Sequence, residues 1–147
     1  MIGGKTDNNF MLQAISEAKI AYKKGEVPIG AVISDGTKII ARAHNLTELL
    51  NDATAHAEMQ AITAASDYIG GKYLKGCTIY VTIEPCPMCA AALAWAQIDR
   101  VVYGAKEPKR GYTTISDKLL HPKTTVLAGV MESECRELME DFFKKLR

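Results

Sequence analysis

The 147-residue sequence is 48% hydrophobic and 24% charged, with a formal net charge of +1. That balance describes an ordinary globular protein and excludes a low-complexity chain. It also excludes a strong overall field that would draw in nucleic acid, although a local basic patch would suffice for that. No apolar run approaches the ~20 residues that span a bilayer. The opening stretch Met1–Asp7 lacks the apolar core of a secretory signal, so the expected location is the cytoplasm. One domain over residues 1–147 is expected, large enough to bury roughly 68–70% of its unfolded surface.

In chain order, a first helix is expected from about Asn8 to just before Gly25. Met11, Ala14, Ile15, Ala18 and Tyr22 recur at helical spacing, and Gly25 suits a C-terminal stop. Ile29–Ser34 and Thr37–Ala43 read as strands joined by Asp35-Gly36, a strong hairpin signal. Thr54 is expected to cap a helix running to about Ser66. Cys77–Ile83 is a third strand, and Met88–Gln97, rich in alanine, a third helix. Arg100–Tyr103 and Thr124–Leu127 are two further strands. A last helix starts near Glu132, with Cys135, Leu138, Met139, Phe142 and Leu146 on one stripe. A helix between the third and fourth strands implies that those two pair in parallel. The expected architecture is α/β: a three-layer α/β/α sandwich around a mixed five-stranded sheet.

Two short segments carry chemistry: His56-Ala57-Glu58 and Pro85-Cys86-Pro87-Met88-Cys89. A close cysteine pair in a reducing compartment points to metal or redox chemistry more than to a structural disulfide. Three residues apart at a helix start, both sulfurs can reach one metal, and the helix N-terminus favours their ionised forms. A catalytic zinc takes three protein ligands and a water, so one donor beyond the two thiolates is needed. His56 is the natural choice among the three histidines. Glu58, not itself a ligand, suits the transfer of protons between the water and a leaving group. The site is expected where two helix N-termini meet. A thioredoxin-type redox pair would leave His56 and Glu58 without a role. A closed structural zinc site would need a fourth protein ligand, from Cys77, His44 or His121.

His-x-Glu followed by Pro-Cys-x-x-Cys is the signature of zinc-dependent base deaminases. At these residues the sequence resembles the cytidine/deoxycytidylate deaminase superfamily, and within it the bacterial tRNA adenosine deaminases that make inosine at the wobble position. The resemblance runs from about Phe10 to the C-terminus. It includes Gly25–Val32, Asn45, Thr54–Glu58, Glu84–Cys89, Arg100–Ala105 and Asp141-Phe142-Phe143. It implies a cytidine deaminase-like fold, Zn²⁺ held by His56, Cys86 and Cys89, and proton transfer by Glu58. It further implies that Asn45 hydrogen-bonds the flipped base, that Val27 and Pro28 line the base pocket, and that the protein is a homodimer acting on a tRNA anticodon loop.

Cations outside these segments suit phosphate contacts: Lys106, Lys109, Arg110 and Lys123, then Lys144, Lys145 and Arg147. For the last three, complementing a helix C-terminus is an equal explanation. Of the aromatic residues, Phe142 and Phe143 are candidates to stack on bases, but Phe142 falls on the apolar stripe, and Tyr112, among polar neighbours, is the preferred exposed stacking residue. The competing functions are deamination of a free base or nucleoside (guanine, cytosine or cytidine) and a non-catalytic RNA-binding scaffold. The latter would have no need of Glu58.

Overall fold

The computed structural model describes residues 3–146. Helix α1 (Lys5–Lys23) leads into strands β1 (Gly30–Ser34) and β2 (Ile39–His44). Helix α2 (Ala57–Ile69), strand β3 (Thr78–Ile83), helix α3 (Pro87–Trp95) and strand β4 (Arg100–Ala105) follow. A 3-10 turn at Tyr112–Thr114, strand β5 (Thr125–Ala128) and helix α4 (Glu132–Lys145) complete the order. The strands form one five-stranded sheet in the order β2-β1-β3-β4-β5. β1 is antiparallel to both β2 and β3, while β3–β4 and β4–β5 are parallel, so the sheet is mixed as expected.

Period-two alternation in the central strands builds two cores. Ala31, Ile33, Ile79, Val81, Val101 and Tyr103 pack with Ala57, Ala61 and Ala65 of α2 and Ala90 and Leu93 of α3. On the other face, Val32, Tyr80 and Val102 pack with Met11, Ala14 and Ile15 of α1 and Cys135 of α4. The result is the three-layer α/β/α sandwich. α1 lies very close to β1, because a Cβ on Gly30 would overlap the backbone of Ala14 and Ala18. No helix among the described residues is long and apolar enough to cross a membrane.

The element boundaries differ from the expected ones for local reasons. α1 starts at Lys5 because Gly4 is its N-cap, and Asn8 bonds back through its side chain to the Gly4 carbonyl (2.9 Å) instead of capping. β2 starts at Ile39, two residues late. The Asp35 carboxylate takes the amides of Thr37 and Lys38 at 2.9 and 3.0 Å and keeps both out of the ladder. Thr54 does not cap α2. Its amide and hydroxyl both donate to Asp52 at 2.8 Å in the preceding turn, and His56 becomes the N-cap. α2 runs past Ser66 to Ile69, where Gly70 in the left-handed region ends it.

One buried ionic knot ties α1 to the sheet. Asp7 accepts two hydrogen bonds from the Arg100 guanidinium (2.8 and 2.9 Å) and one from the Tyr80 hydroxyl (2.8 Å). Arg100 opens β4 and Tyr80 lies in β3, so one carboxylate joins three elements. The Arg100 hydrogen bonds hold the Asp7 carboxyl down at about 2, against an ordinary 3.8. A depressed carboxyl stabilises the fold above the unfolded value and loses that contribution as pH falls toward the folded one. Asp7→Asn should therefore cost ~2 kcal/mol at pH 7, measured by urea unfolding. The gap between the two proteins should narrow steadily from about pH 4 toward pH 2. A gap unchanged across that range would show that the carboxylate charge is not what stabilises.

Candidate active site

The site forms where β2, β3 and β4 end and β1 begins. β3 runs into Glu84 and Pro85, and Cys86 then serves as the N-cap of α3, with Pro87 at its first position. Proline at that position loses no helical hydrogen bond and presets the helical φ, so the helix starts directly after the strand. Cys89 follows in the first turn. On the neighbouring helix His56 is the N-cap of α2 and Glu58 lies in its first turn. His56 therefore sits one position outside the helix, not within the first turn where a cap at Thr54 would have put it.

Among the described residues, His56, Cys86 and Cys89 form the one cluster of metal-ligating side chains, with ligand atoms within 4.8 Å of one another. His56 Nδ1 lies 3.6 Å from the Sγ of Cys86 and 3.6 Å from that of Cys89. A tetrahedral ion with Zn–S of ~2.3 Å and Zn–N of ~2.05 Å would set nitrogen and sulfur about 3.6 Å apart, so the donors fit such an ion. None of the three expected alternatives for a fourth ligand joins them. Cys77 precedes β3, at the opposite end of the strand from Cys86. His44 is engaged with Glu17 (2.9 Å) and Lys24 (3.2 Å). The Nδ1 of His121 accepts from the Lys123 amide.

The thiols share their protons unequally. A hydrogen bond from Cys89 drives Cys86 down to about 4, aided by His56. The same hydrogen bond drives Cys89 up, aided by burial. His56 is raised by its hydrogen bond to Cys86. Glu58 is buried, and loss of water raises its carboxyl to about 7.

These groups open onto a cavity of about 740 Å³. His56, Glu58 and Cys86 lie in its wall with Asn45, Val27 and Ile29. Asn45 is buried, and its amide group donates to the Thr47 hydroxyl at 3.4 Å. Pro28 is buried but does not line the cavity. It sits at the centre of a tight turn closed by the Ile29 amide on the Val27 carbonyl (2.8 Å), and Val27 and Ile29 face the cavity instead. Lys109, Arg110 and, from α4, Met139, Phe143 and Leu146 complete the wall.

An adjoining groove carries Lys106, Lys109, Arg136, Lys144 and Phe143. Lys123 lines neither space. Lys145 is paired with Asp141 (3.4 Å), and Arg147 lies outside the described residues. Tyr112 is not an exposed stacking residue. It is 3% exposed, because its amide bonds the Pro85 carbonyl (2.8 Å) and its ring joins the core under α3. Phe143, 43% exposed at the cavity wall, has the accessible ring, while Phe142 is buried as its place on the stripe implied.

Two buried carboxylates had no role in the sequence reasoning, although both lie inside segments that resemble the family. Glu26 accepts from the amides of Glu48 (3.0 Å) and Leu49 (2.7 Å). Glu84 accepts from the amides of Glu107 (3.2 Å) and Thr113 (3.0 Å) and from the Thr113 hydroxyl (2.7 Å). For Glu84 the available signal was an acidic residue flush against the end of β3, where burial demands partners; Glu26, four residues before β1, left no such trace.

A model of the MafB19-like deaminase family matches residues 5–147. The tRNA-specific adenosine deaminase of Bacillus subtilis (strain 168) is 44% identical over 146 residues, covering 96% of this chain and 91% of that protein. The chain belongs to the tRNA-specific adenosine deaminase family. A structure from studies of A-to-I editing by tRNA:A34 deaminases superposes with a TM-score of 0.82 at 43% identity, covering 88% of this chain and 98% of that one. The guanine deaminase of Bacillus subtilis shares the fold less fully, with a TM-score of 0.66 at 35% identity over 78% of this chain and 76% of its own. The sandwich seen here is thus the cytidine deaminase-like fold of this hydrolytic deaminase family.

Proposed function

We propose that the protein hydrolyses adenosine to inosine at the wobble position of tRNA, releasing ammonia, as a single deaminase domain over residues 1–147 acting in the cytoplasm. The observation that carries this is the single cavity lined by two of the three donors, His56 and Cys86, together with Glu58 and Asn45, with Lys109, Arg110 and Phe143 beside them and Cys89 buried just behind. His56, Cys86 and Cys89 would hold Zn²⁺, which when bound would supply a water with its pKa lowered from 15.7 toward ~7. Glu58, buried beside the donors, is placed to take the two protons of the attacking water in turn, passing the first to the base nitrogen and the second to the leaving amine. Asn45 hydrogen-bonds the base and Val27 packs on its face, while Pro28 keeps the Val27–Ile29 turn directed at the cavity. An anticodon loop offers an unstacked base at little cost, and the adjoining cationic groove suits its phosphates.

The likeness to a guanine deaminase favours one second reading, deamination of a free base at the same centre. The tRNA enzymes match this chain over a larger share of both lengths, which supports the first.

The working unit is proposed to be a homodimer. Trp95, at the end of α3, is 84% exposed, and Ile115, after the turn that packs on α3, is 69% exposed. Contiguous exposed apolar patches mark interfaces, and these two residues are proposed to form one such patch, since the turn packs on α3.

Glu58→Ala should retain about one zinc per chain by elemental analysis while turnover falls by ~10²–10⁴-fold. Normal turnover in that variant would remove the proton-transfer assignment. Light scattering at micromolar concentration should give the dimer mass, and Trp95→Glu the monomer mass. The substrate is tested by competition between an anticodon stem-loop bearing wobble adenosine and free adenosine, cytidine, cytosine and guanine. Inosine should form in the stem-loop, at a rate that drops steeply with added salt. Rapid loss of guanine with an untouched stem-loop would establish the free-base reading instead.

A further inference from the structure

The segment that brings cations to the cavity has no helix or strand of its own. Residues 106–111 leave β4 as an irregular connection, yet Lys109 and Arg110 both reach the wall that contains Glu58. Backbone hydrogen bonds of regular structure do not hold it there, so something else must.

A chain of acceptors does. Glu84, 3% exposed, places one carboxylate oxygen on the Glu107 amide and the other on the amide and hydroxyl of Thr113. It therefore grips the segment on both sides of the two cations. Glu107 in turn accepts the amides of Lys109 (2.8 Å) and Arg110 (3.3 Å) on its own carboxylate, folding the turn that carries them. Gly111 closes the turn through the Glu107 carbonyl (3.0 Å), and a Cβ there would overlap the Glu84 carboxyl. Glycine at position 111 is thus a matter of space, since its φ of −64° is open to any residue. Glu84 itself lies two residues before Cys86, and its own amide is fixed on the Ala105 carbonyl (2.8 Å). The same residue that leads the chain to the metal donors anchors the cationic turn.

We propose that Glu84 is a positioning residue that sets Lys109 and Arg110 to meet the phosphates flanking the reacting base, and so determines preference for a base carried on a polynucleotide over the free base. This rests on the RNA substrate proposed above. Glu84 borders the cavity but is only 3% exposed, and both its carboxylate oxygens are occupied by Glu107 and Thr113, so it acts through those two residues. A substrate without phosphates gains nothing from the turn, whereas an anticodon loop gains two charge contacts.

The test compares wild type, Glu84→Gln and Thr113→Val in zinc-loaded enzyme on the wobble-adenosine stem-loop. Glutamine sets an amide NH₂ against a backbone N–H. Valine matches threonine in shape and removes only the hydroxyl, so it remains informative if Glu84→Gln does not fold. KM should rise about tenfold in Glu84→Gln and less in Thr113→Val, with kcat at saturation changed by less than about threefold and zinc content unchanged. The slope of log affinity against log salt should fall by ~1.4 in Glu84→Gln, as expected for two lost phosphate contacts on a single strand. Hydrogen exchange at the amides of Glu107 and Thr113 should accelerate. An unchanged KM and salt slope with faster exchange would overturn the proposal, as would a loss confined to kcat. Wild type inactive on the stem-loop would remove the RNA substrate and this proposal together, whereas an active wild type matched by both variants would remove this proposal alone.

Discussion

The parallel pairing of β3 with β4 is the constraint on which the rest of the site depends. Two parallel neighbours cannot be joined by a tight turn, so the chain must leave β3, cross the face of the sheet and return. The crossover helix α3 has to start where β3 stops, and Cys86 and Cys89 occupy that start. Strand ends of this kind are where α/β proteins place their ligands. α2 begins at the same edge, so two helix N-termini bring partial positive charge to one spot, which favours a thiolate.

The floor and the rim of the cavity are held by different forces. His56, Glu58, Cys86 and Cys89 sit on helix starts backed by the core of small residues under α2 and α3, so packing fixes them. Residues 46–51 and 106–111 on the rim are irregular, and each is held by a buried carboxylate, Glu26 or Glu84, through backbone amides within it or just beyond it. Burying a carboxylate is costly, and two or three charge-assisted hydrogen bonds offset that cost. Reactive geometry is thereby insulated from sequence change in the rim, while each rim loop relies on a buried carboxylate supplemented by further bonds such as those of Glu107 and of the Tyr112 amide.

The layers, the strand count and the zinc-ligand candidates were all legible in the sequence, because each leaves a local trace. Short β-rich apolar runs mark β1, β3 and β4, which are buried on both faces, and the Pro85-Cys86-x-x-Cys89 spacing marks a strand-to-helix junction. Errors arose where a side chain competes with the backbone for hydrogen bonds. Asp35 and Asp52 each captured amides that simple turn and capping rules assign elsewhere, which delayed β2 and moved the α2 cap from Thr54 to His56. Tyr112 looked exposed from its polar neighbours, but its burial is set by the Pro85 carbonyl, 27 positions earlier in the numbering of the chain. Phe143 was legible as a stacking candidate and does line the cavity, whereas the contribution of Met139 was invisible, since α4 meets the site only after the sheet has formed.

The seating of α1 at Gly30 bears on how the molecule can move. Packed helices commonly slide past a sheet by small shear displacements, which need side chains that can exchange rotamers at the contact. Here the backbone of Ala14 and Ala18 lies directly on Gly30, with no intervening side chain to rearrange. The neighbouring Glu17 is also tied across to His44, the residue that pairs with Gly30 in the sheet. Shear along α1 is therefore blocked at its midpoint. Accommodation of a large ligand falls to the loops at the strand ends, a partition that would leave α1 amides slow to exchange on a timescale where the rim still opens.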